Sequence, residues 1–463
     1  MLDLIIKNGK IVDGNNIVEG DILVAGGKVV GVTRRGEIDR ARRVLDAEGR
    51  YVLPGAIDSH SHLGQMPGAG QPKVQGQEEN FMTESSSALY GGVTSALNYI
   101  FTQESLEKVF PRFIELVKRH SLIDIKFHGA LMNQVHLDNI ERYIHDLGIT
   151  SFKIFLPYKG AEAANLGGLS SLNDGQILEA FVKLKEYGGL PMIHAENPEL
   201  IDYYSRRLTD PTRQDMASWE ATRPGICEGE AVAKVLYLAR KVGCRIGIAH
   251  VSSKEAVECI QEARDQEVVL ETCPHYLALT VEAGLGSLGK VSPPIRHHDD
   301  REKIWEAVEK QVPVIIGSDH NSWVTAHKQE LWSGLAGLPG NAVIMAVLFT
   351  EGVNKRGLSP LDVVRVSSYN AAKLFGLFPA KGTLAVGSDA DITIMETGIK
   401  KYLDPSETGS IVDYTPYQNY LFTAWPYAVI ARGEVMVLDG RRENSEHRGN
   451  CLNTFCLNTV CST

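Results

Sequence analysis

No apolar run in this chain reaches the roughly 18–20 residues that a membrane-spanning helix needs. The N-terminal stretch MLDLIIKNGKIVDG lacks the basic, apolar and small-residue order of a secretory signal. A cytoplasmic protein with no membrane partner is therefore expected. Basic residues gather in no stripe, and the net charge is −10, which argues against a nucleic-acid partner. Seven cysteines are an odd number for a disulfide framework. Cys227, Cys244, Cys259 and Cys273 are scattered and read as reduced, structural residues. Cys451, Cys456 and Cys461 crowd into CLNTFCLNTVCST. Their five-residue spacing gives no shared helical face, and no His stands at finger-like spacing. Residues 441–463 are expected to form a poorly ordered tail. Short-period repeats and low-complexity linkers are also missing.

What remains is an ordinary globular composition. With 463 residues, 43% of them hydrophobic, the chain can build a large core and more than one folded unit. The first fifty or so residues alternate apolar and polar positions and are broken by NG, DG and GG pairs, the pattern of short strands and tight turns. The same texture returns in GTLAVGSDADITIMETG and YAVIARGEVMVLDG. One small β-sandwich assembled from both ends, residues 1–52 and 376–440, is expected. Between them, residues 53–375 alternate apolar strand-like runs with helical ones. The strand candidates are VLPGAIDSH, VTSALNYI, DIKFHGAL, TSFKIFL, LPMIHAE, CRIGIAHV, EVVLETCPHYLAL and PVIIGSD. Eight such strands, apolar almost throughout, predict an α/β fold, a (β/α)₈ TIM barrel.

Five of these runs deliver metal-ligand residue types at their C-terminal ends: His60 and His62, Lys153, His194, His250 and Asp319. Active sites of such barrels lie at that end of the strands, and imidazoles and carboxylates bind divalent cations. In His60-Ser61-His62, residues two apart on a strand project to one side, so both rings can reach one ion. Singly, His194 and His250 are equally well read as satisfied core histidines, and Asp319 as a helix or turn cap. Lys153 lies in a strongly apolar strand, where a charge is costly unless paired or removed. An ion-paired or snorkelling lysine is its ordinary reading. Taken together, the set points to a metal-dependent hydrolase. Two long loops, after His62 and after Asp319, are candidates for a substrate pocket or lid.

These segments, with PGAIDSHSH, FKIFLPY, HAEN, AHVSS, CPHYLAL, SPPIR, GSDH and AAKLFGLFPAKGTLAVGSDADI, resemble the amidohydrolase superfamily over nearly the whole chain. The likeness is to its cyclic-amidase branch of hydantoinases, dihydropyrimidinases, allantoinases and dihydroorotases. It implies two divalent cations per subunit, zinc foremost, with manganese, cobalt or iron as alternatives. His60, His62 and Asp319 would hold the more buried ion, and His194 and His250 the more exposed one. Lys153, carboxylated by CO₂, would bridge them together with a hydroxide. Asp319 would carry the proton, and Tyr158 would hydrogen-bond the reacting carbonyl oxygen. Ser292 would hold the amide edge of a small cyclic substrate through its backbone. The resemblance also implies a homodimer or homotetramer.

The sequence departs from the pattern at two places. Dihydroorotases carry an Arg two residues after the second His, where this chain has Gly64, so dihydroorotate loses its carboxylate partner. Hydantoinases usually carry an Asn where this chain has Ala336. An allantoinase, a linear amide or carbamate hydrolase, and a non-catalytic scaffold relative therefore stand beside the hydantoinase-like reading. A mononuclear deaminase of the same superfamily would lack Lys153.

Overall fold

The computed structural model describes residues 1–14, 16–68, 71–158, 169–310, 313–444 and 446–453. Its centre is an eight-stranded parallel sheet whose strands follow one another in chain order. They are Ala56–Ser61, Val93–Ile100, Asp124–Ala130, Ser151–Phe155, Leu190–His194, Ile246–Ile248, Val268–Thr272 and Val314–Ile316. The barrel nearly closes on itself: the Asp319 amide, just past the eighth strand, donates to the His60 carbonyl at 2.9 Å, and Ser61 bridges His320. Every residue in these strands is buried, including polar ones such as Asp58, His60, Asn98, Lys153 and Glu271, which therefore need partners inside the barrel. Each of the eight anticipated runs contains one of them.

Helices Leu106–His120, Asp174–Tyr187, Gly225–Val242 and Lys254–Glu262 lie between strands. Local chemistry sets their ends. Asn173 and Gln176 form a capping box at the start of Asp174–Tyr187, and Gly188, at φ 77°, ends it in the left-handed conformation. None of the described helices is long and apolar enough to cross a membrane.

A second, mixed sheet of nine strands takes five from the N-terminal part of the chain and four from the C-terminal part. Tyr51–Pro54 pairs antiparallel with Ile392–Lys401 and so joins the two contributions. The strand-like run VLPGAIDSH is thus divided. Its VLP belongs to this sheet, and Gly55 is the crossing point, where an added Cβ would lie 2.2 Å from Thr94 Oγ1. The sheet has an apolar core of its own, including Leu4, Ile6, Ile22, Val52, Ile392 and Ile430. Lys381 ties it to the barrel. Its Nζ lies 2.8 Å from Asp124 on the third barrel strand, 3.0 Å from Asp389 and 2.5 Å from Asp391.

The expectation of a poorly ordered tail is corrected as far as Asn453. Arg441–Arg442 pairs with Glu434–Leu438, and Cys451 bridges Ile125. The Ile125 amide donates to the Asn450 carbonyl at 2.8 Å, and the Leu452 amide to the Ile125 carbonyl at 2.7 Å. The fully buried Asn453 side chain accepts from the Phe127 amide at 2.9 Å. The physical reason lies in the barrel. The third strand meets the fourth only at Gly129 and Ala130, so its lower half has backbone groups in need of partners. The chain near its C-terminus supplies them. Cys456 and Cys461 lie outside the described residues.

Candidate metal centre

All six ligand-type residues meet at the C-terminal mouth of the barrel and line one cavity. His60 sits in the first strand and His62 just beyond it, Lys153 is in the fourth, and His194 ends the fifth. His250 and Asp319 follow the sixth and eighth strands. None is more than 9% exposed. His62 Nε2 lies 2.8 Å and His60 Nε2 3.3 Å from the same carboxylate oxygen of Asp319. Lys153 Nζ lies 3.3 Å from His60 Nε2 and 3.1 Å from His250 Nε2. The rings of His194 and His250 are 4.3 Å apart. His250 and Asp319 both take positive φ, 40° and 49°, a conformation costly for side-chain-bearing residues and concentrated at functional sites.

The electrostatics follow from this crowding. Burial, reinforced by Lys153, pushes the His60 and His250 rings well below the ordinary histidine range. Burial lowers Lys153 to about 8, although Glu271 and Asp319 pull the other way. Burial would raise Asp319, but His60, His62 and Lys153 outweigh it and hold the carboxyl well below its usual range. The site thus contains an Nζ pressed against two imidazoles, with no carboxylate within ion-pairing distance of Lys153 among the described residues. His62 Nδ1 and His250 Nδ1 are buried with no hydrogen-bond partner among the described residues. Ring nitrogens in this state suit cation ligation, and His60, His62 and Asp319 each present a ligand atom within 4.8 Å of the others. The donor set fits divalent cations.

The amidohydrolase family model matches residues 51–436, most of the chain. The chain belongs to the amidohydrolase family. A D-hydantoinase from Geobacillus stearothermophilus is 34% identical over 453 residues, covering 94% of this chain and 93% of that protein. An allantoinase from Escherichia coli O139:H28 (strain E24377A / ETEC) is 32% identical over 452 residues, covering 94% and 95%. The crystal structure of dihydropyrimidinase from Brevibacillus agri NCHU1002 superposes with a TM-score of 0.88 at 31% identity, covering 98% of both chains.

In this amidohydrolase the cavity is also lined by Tyr158, Ser292 and Ala336 beside the ligand-type residues. The Tyr158 ring packs 5.2 Å from His194 and 5.3 Å from Phe155. Ser171 fixes its backbone, donating to the Tyr158 carbonyl from both its amide (3.1 Å) and its hydroxyl (2.9 Å). Residues 159–168, which follow it, lie outside the described residues. The Ser292 hydroxyl is buried with no hydrogen-bond partner among the described residues. The Ala336 carbonyl already accepts from Trp323 Nε1 at 2.9 Å. Gly64 adopts φ 79°, and an added Cβ would sit 2.4 Å from the Phe81 ring. A side chain there is blocked twice, by backbone conformation and by space, so this amidohydrolase cannot present an arginine from that position.

Several residues around the centre, Glu196 apart, were not picked out from sequence. Glu271, in the seventh strand, has Oε1 2.5 Å from His60 Nδ1 and accepts from Ser59 Oγ at 2.7 Å, turning His60 Nε2 toward the cavity. Burial raises Glu271 to about 7. Its signal was available: like Lys153, it is a charge inside an apolar run. Glu196 lies 2.7 Å from His194 Nε2 and leaves Nδ1 as that ring's other donor atom. Asp58 accepts from the Ser318 amide at 2.7 Å and from the His60 amide at 3.1 Å, binding the first strand to the start of the Asp319 turn. Phe101, Phe155 and Trp323 give the cavity aromatic walls.

Proposed function

We propose that this hydrolase is a binuclear metal enzyme that opens a C–N amide bond of a cyclic amide or ureide, in the manner of a hydantoinase. The reading is supported above all by the convergence of six ligand-type residues, Tyr158 and Ser292 on one cavity. His60, His62 and Asp319 would hold one cation, His194 and His250 the other, and Lys153 would bridge them as its CO₂ adduct. Formation of that adduct needs a neutral amine, whose nitrogen attacks the CO₂ carbon and releases a proton. A Lys153 lowered to about 8 keeps more of that form near neutrality than an exposed lysine does. Two cations there, zinc first with manganese, cobalt or iron as alternatives, would supply an acidified water and a Lewis acid for the carbonyl.

The remaining work falls to the chain. An amide resists hydrolysis because its carbonyl is a poor electrophile and its nitrogen a poor leaving group. Asp319 takes the proton from the attacking water and delivers it to the ring nitrogen as the C–N bond breaks. The Tyr158 hydroxyl donates to the oxyanion formed on the carbonyl oxygen. The Ser292 backbone holds the amide edge of the ring. Beyond the metal-binding groups, the cavity's aromatic lining suits an uncharged ring, and Gly64 offers no partner for a carboxylate.

A second reading, an allantoinase, is favoured by the near-equal identity to the allantoinase and the D-hydantoinase, 32% against 34%. One experiment tests both. Metal-replete protein is assayed for metal content and for ring opening of hydantoin, 5,6-dihydrouracil, allantoin and dihydroorotate, with linear carbamates alongside. About two equivalents of metal per chain and turnover of a neutral ring are expected. Metal-free protein after metal-replete expression would point to a scaffold relative, and a preference for dihydroorotate would contradict the role given to Gly64.

A further inference from the structure

Lys328, in the long loop after the eighth strand, is fully buried. Among the described residues no carboxylate pairs with it. Its Nζ instead donates to three main-chain carbonyls: Lys290 at 2.7 Å, Leu335 at 3.2 Å and Gly337 at 2.7 Å. An ammonium has three N–H donors, so all three are engaged. The three acceptors come from two segments far apart in sequence. One runs through Lys290, Val291 and Ser292, and the other through Leu335, Ala336 and Gly337. Val291, Ser292, Ala336 and Gly337 all line the cavity that holds the ligand-type residues.

Neighbouring bonds make the clamp stiff. The Gly337 amide donates to the same Lys290 carbonyl at 3.0 Å. The adjacent His327 carbonyl accepts from the Leu335 amide at 2.9 Å, and His327 Nε2 lies 2.7 Å from the Pro72 carbonyl in the loop after the first strand. Lys328 therefore stands behind the wall of the pocket, touching neither the ligand-type residues nor the cavity, and holds its two backbone edges at a fixed spacing. Apolar side chains could not do this, because the Leu335 and Gly337 carbonyls would lose the Lys328 donor and the Lys290 carbonyl would keep only the Gly337 amide.

We propose that Lys328 is a positioning residue for the substrate: its ammonium sets the separation between the Ser292 and Ala336 edges of the slot into which a planar amide ring fits. The proposal rests on the functional reading above, in which the Ser292 backbone binds the ring. It goes beyond that reading by assigning ring fit to a residue that contacts no substrate.

The test compares the metal-loaded parent with Lys328→Met and Lys328→Gln, using hydantoin and 5,6-dihydrouracil as probes. Metal content should stay at the parent's value in both variants. KM for the ring substrates should rise about tenfold in Lys328→Met with kcat within about threefold, because binding common to ground and transition states is lost. Lys328→Gln, which keeps two N–H donors, should recover part of that loss. Hydrogen exchange read on the same samples should quicken in peptides covering Lys290–Ser292 and Leu335–Gly337 and stay unchanged in the second sheet. A merely structural lysine would lower the melting temperature and leave KM of the folded fraction at the parental value, and that result overturns the proposal. If Lys328→Met does not fold, the KM and exchange pattern of Lys328→Gln decide in the same way. If the parent opens no cyclic amide, the functional reading fails. The clamp is then judged by exchange alone, and unchanged or uniformly quickened exchange rejects it.

Discussion

Two buried lysines in this molecule face the same physical problem and solve it in opposite ways. Lys381, between the barrel and the second sheet, is surrounded by Asp124, Asp389 and Asp391. Those carboxylates also satisfy the geometry of a metal site, as do His60, His62 and Asp319, yet the Lys381 Nζ occupies their centre. Burial would lower Lys381, but the three carboxylates outweigh it and raise its pKa above the ordinary lysine value. Lys153, at the mouth, has two imidazoles as neighbours, and burial lowers it to about 8. A lysine that serves as a permanent cation is given anions. Lys153 is pressed against imidazoles that offer no counter-charge and is placed to lose its charge, whereas Lys328 has three carbonyl acceptors for its N–H groups. The contrast supports the chemical role proposed for Lys153 and a structural one for Lys381 without reference to any relative.

The largest effect that would break this comparison is at Lys153. Lys153→Ala should lose both bound cations and lower turnover by about four orders of magnitude while the protein still folds. Elemental analysis and a steady-state assay check it, and a full metal complement with parental activity would erase the distinction. Next comes Lys381. Lys381→Met leaves the buried Asp391 without its counter-charge, Asp124 with only Arg432 and the part-buried Asp389 with only Lys28, and should destabilise the fold by about 3–5 kcal/mol, measured by urea unfolding, with the metal content of the folded protein unaltered. Loss of metal without loss of stability would reverse the roles of the two lysines.

The smallest effect sharpens the contrast through pH. In metal-free, CO₂-depleted protein, Lys153 is lowered in the folded state to about 8, against about 10.4 unfolded. Between those values the unfolded chain binds the extra proton, so stability rises with pH across the window, by on the order of 2 kcal/mol. Lys381 is raised in the folded state, so its contribution is complete below the unfolded lysine value and is lost only as pH climbs beyond it. Urea midpoints at pH 8 and pH 10 should therefore increase in the parent and lose that slope in Lys153→Met. An identical slope in the variant would mean that some other group carries it.

The barrel was legible in the sequence because strands buried on both faces read as runs rich in apolar residues, although VTSALNYI also buries Thr94, Ser95 and Asn98. The second sheet was legible because its DG and GG pairs mark strand ends, whereas Asn8-Gly9 lies inside the strand Leu2–Asp13 at a register shift. The six ligand-type residues stood out because each interrupts or ends such a run. The rest was hidden where a residue's partners are remote. VLP gave no sign that it pairs with Ile392–Lys401 and not with the barrel. Lys328 looks like any loop lysine until three carbonyls from two other segments surround it. Asn453 reads as part of a polar tail, because the open half of the third strand that it covers is a property of the closed barrel. The positive φ of His250 and Asp319 likewise arises from tertiary packing, since neither is followed by a turn signal.

The pairing of Asn453 with Phe127 also constrains the order in which the molecule can be completed. The two residues are 326 positions apart. During synthesis the third strand leaves the ribosome long before the residues that finish its lower edge, so the underside of the barrel stays open until residues 450–453 have been made. Completion of the floor therefore comes well after every group at the mouth has emerged.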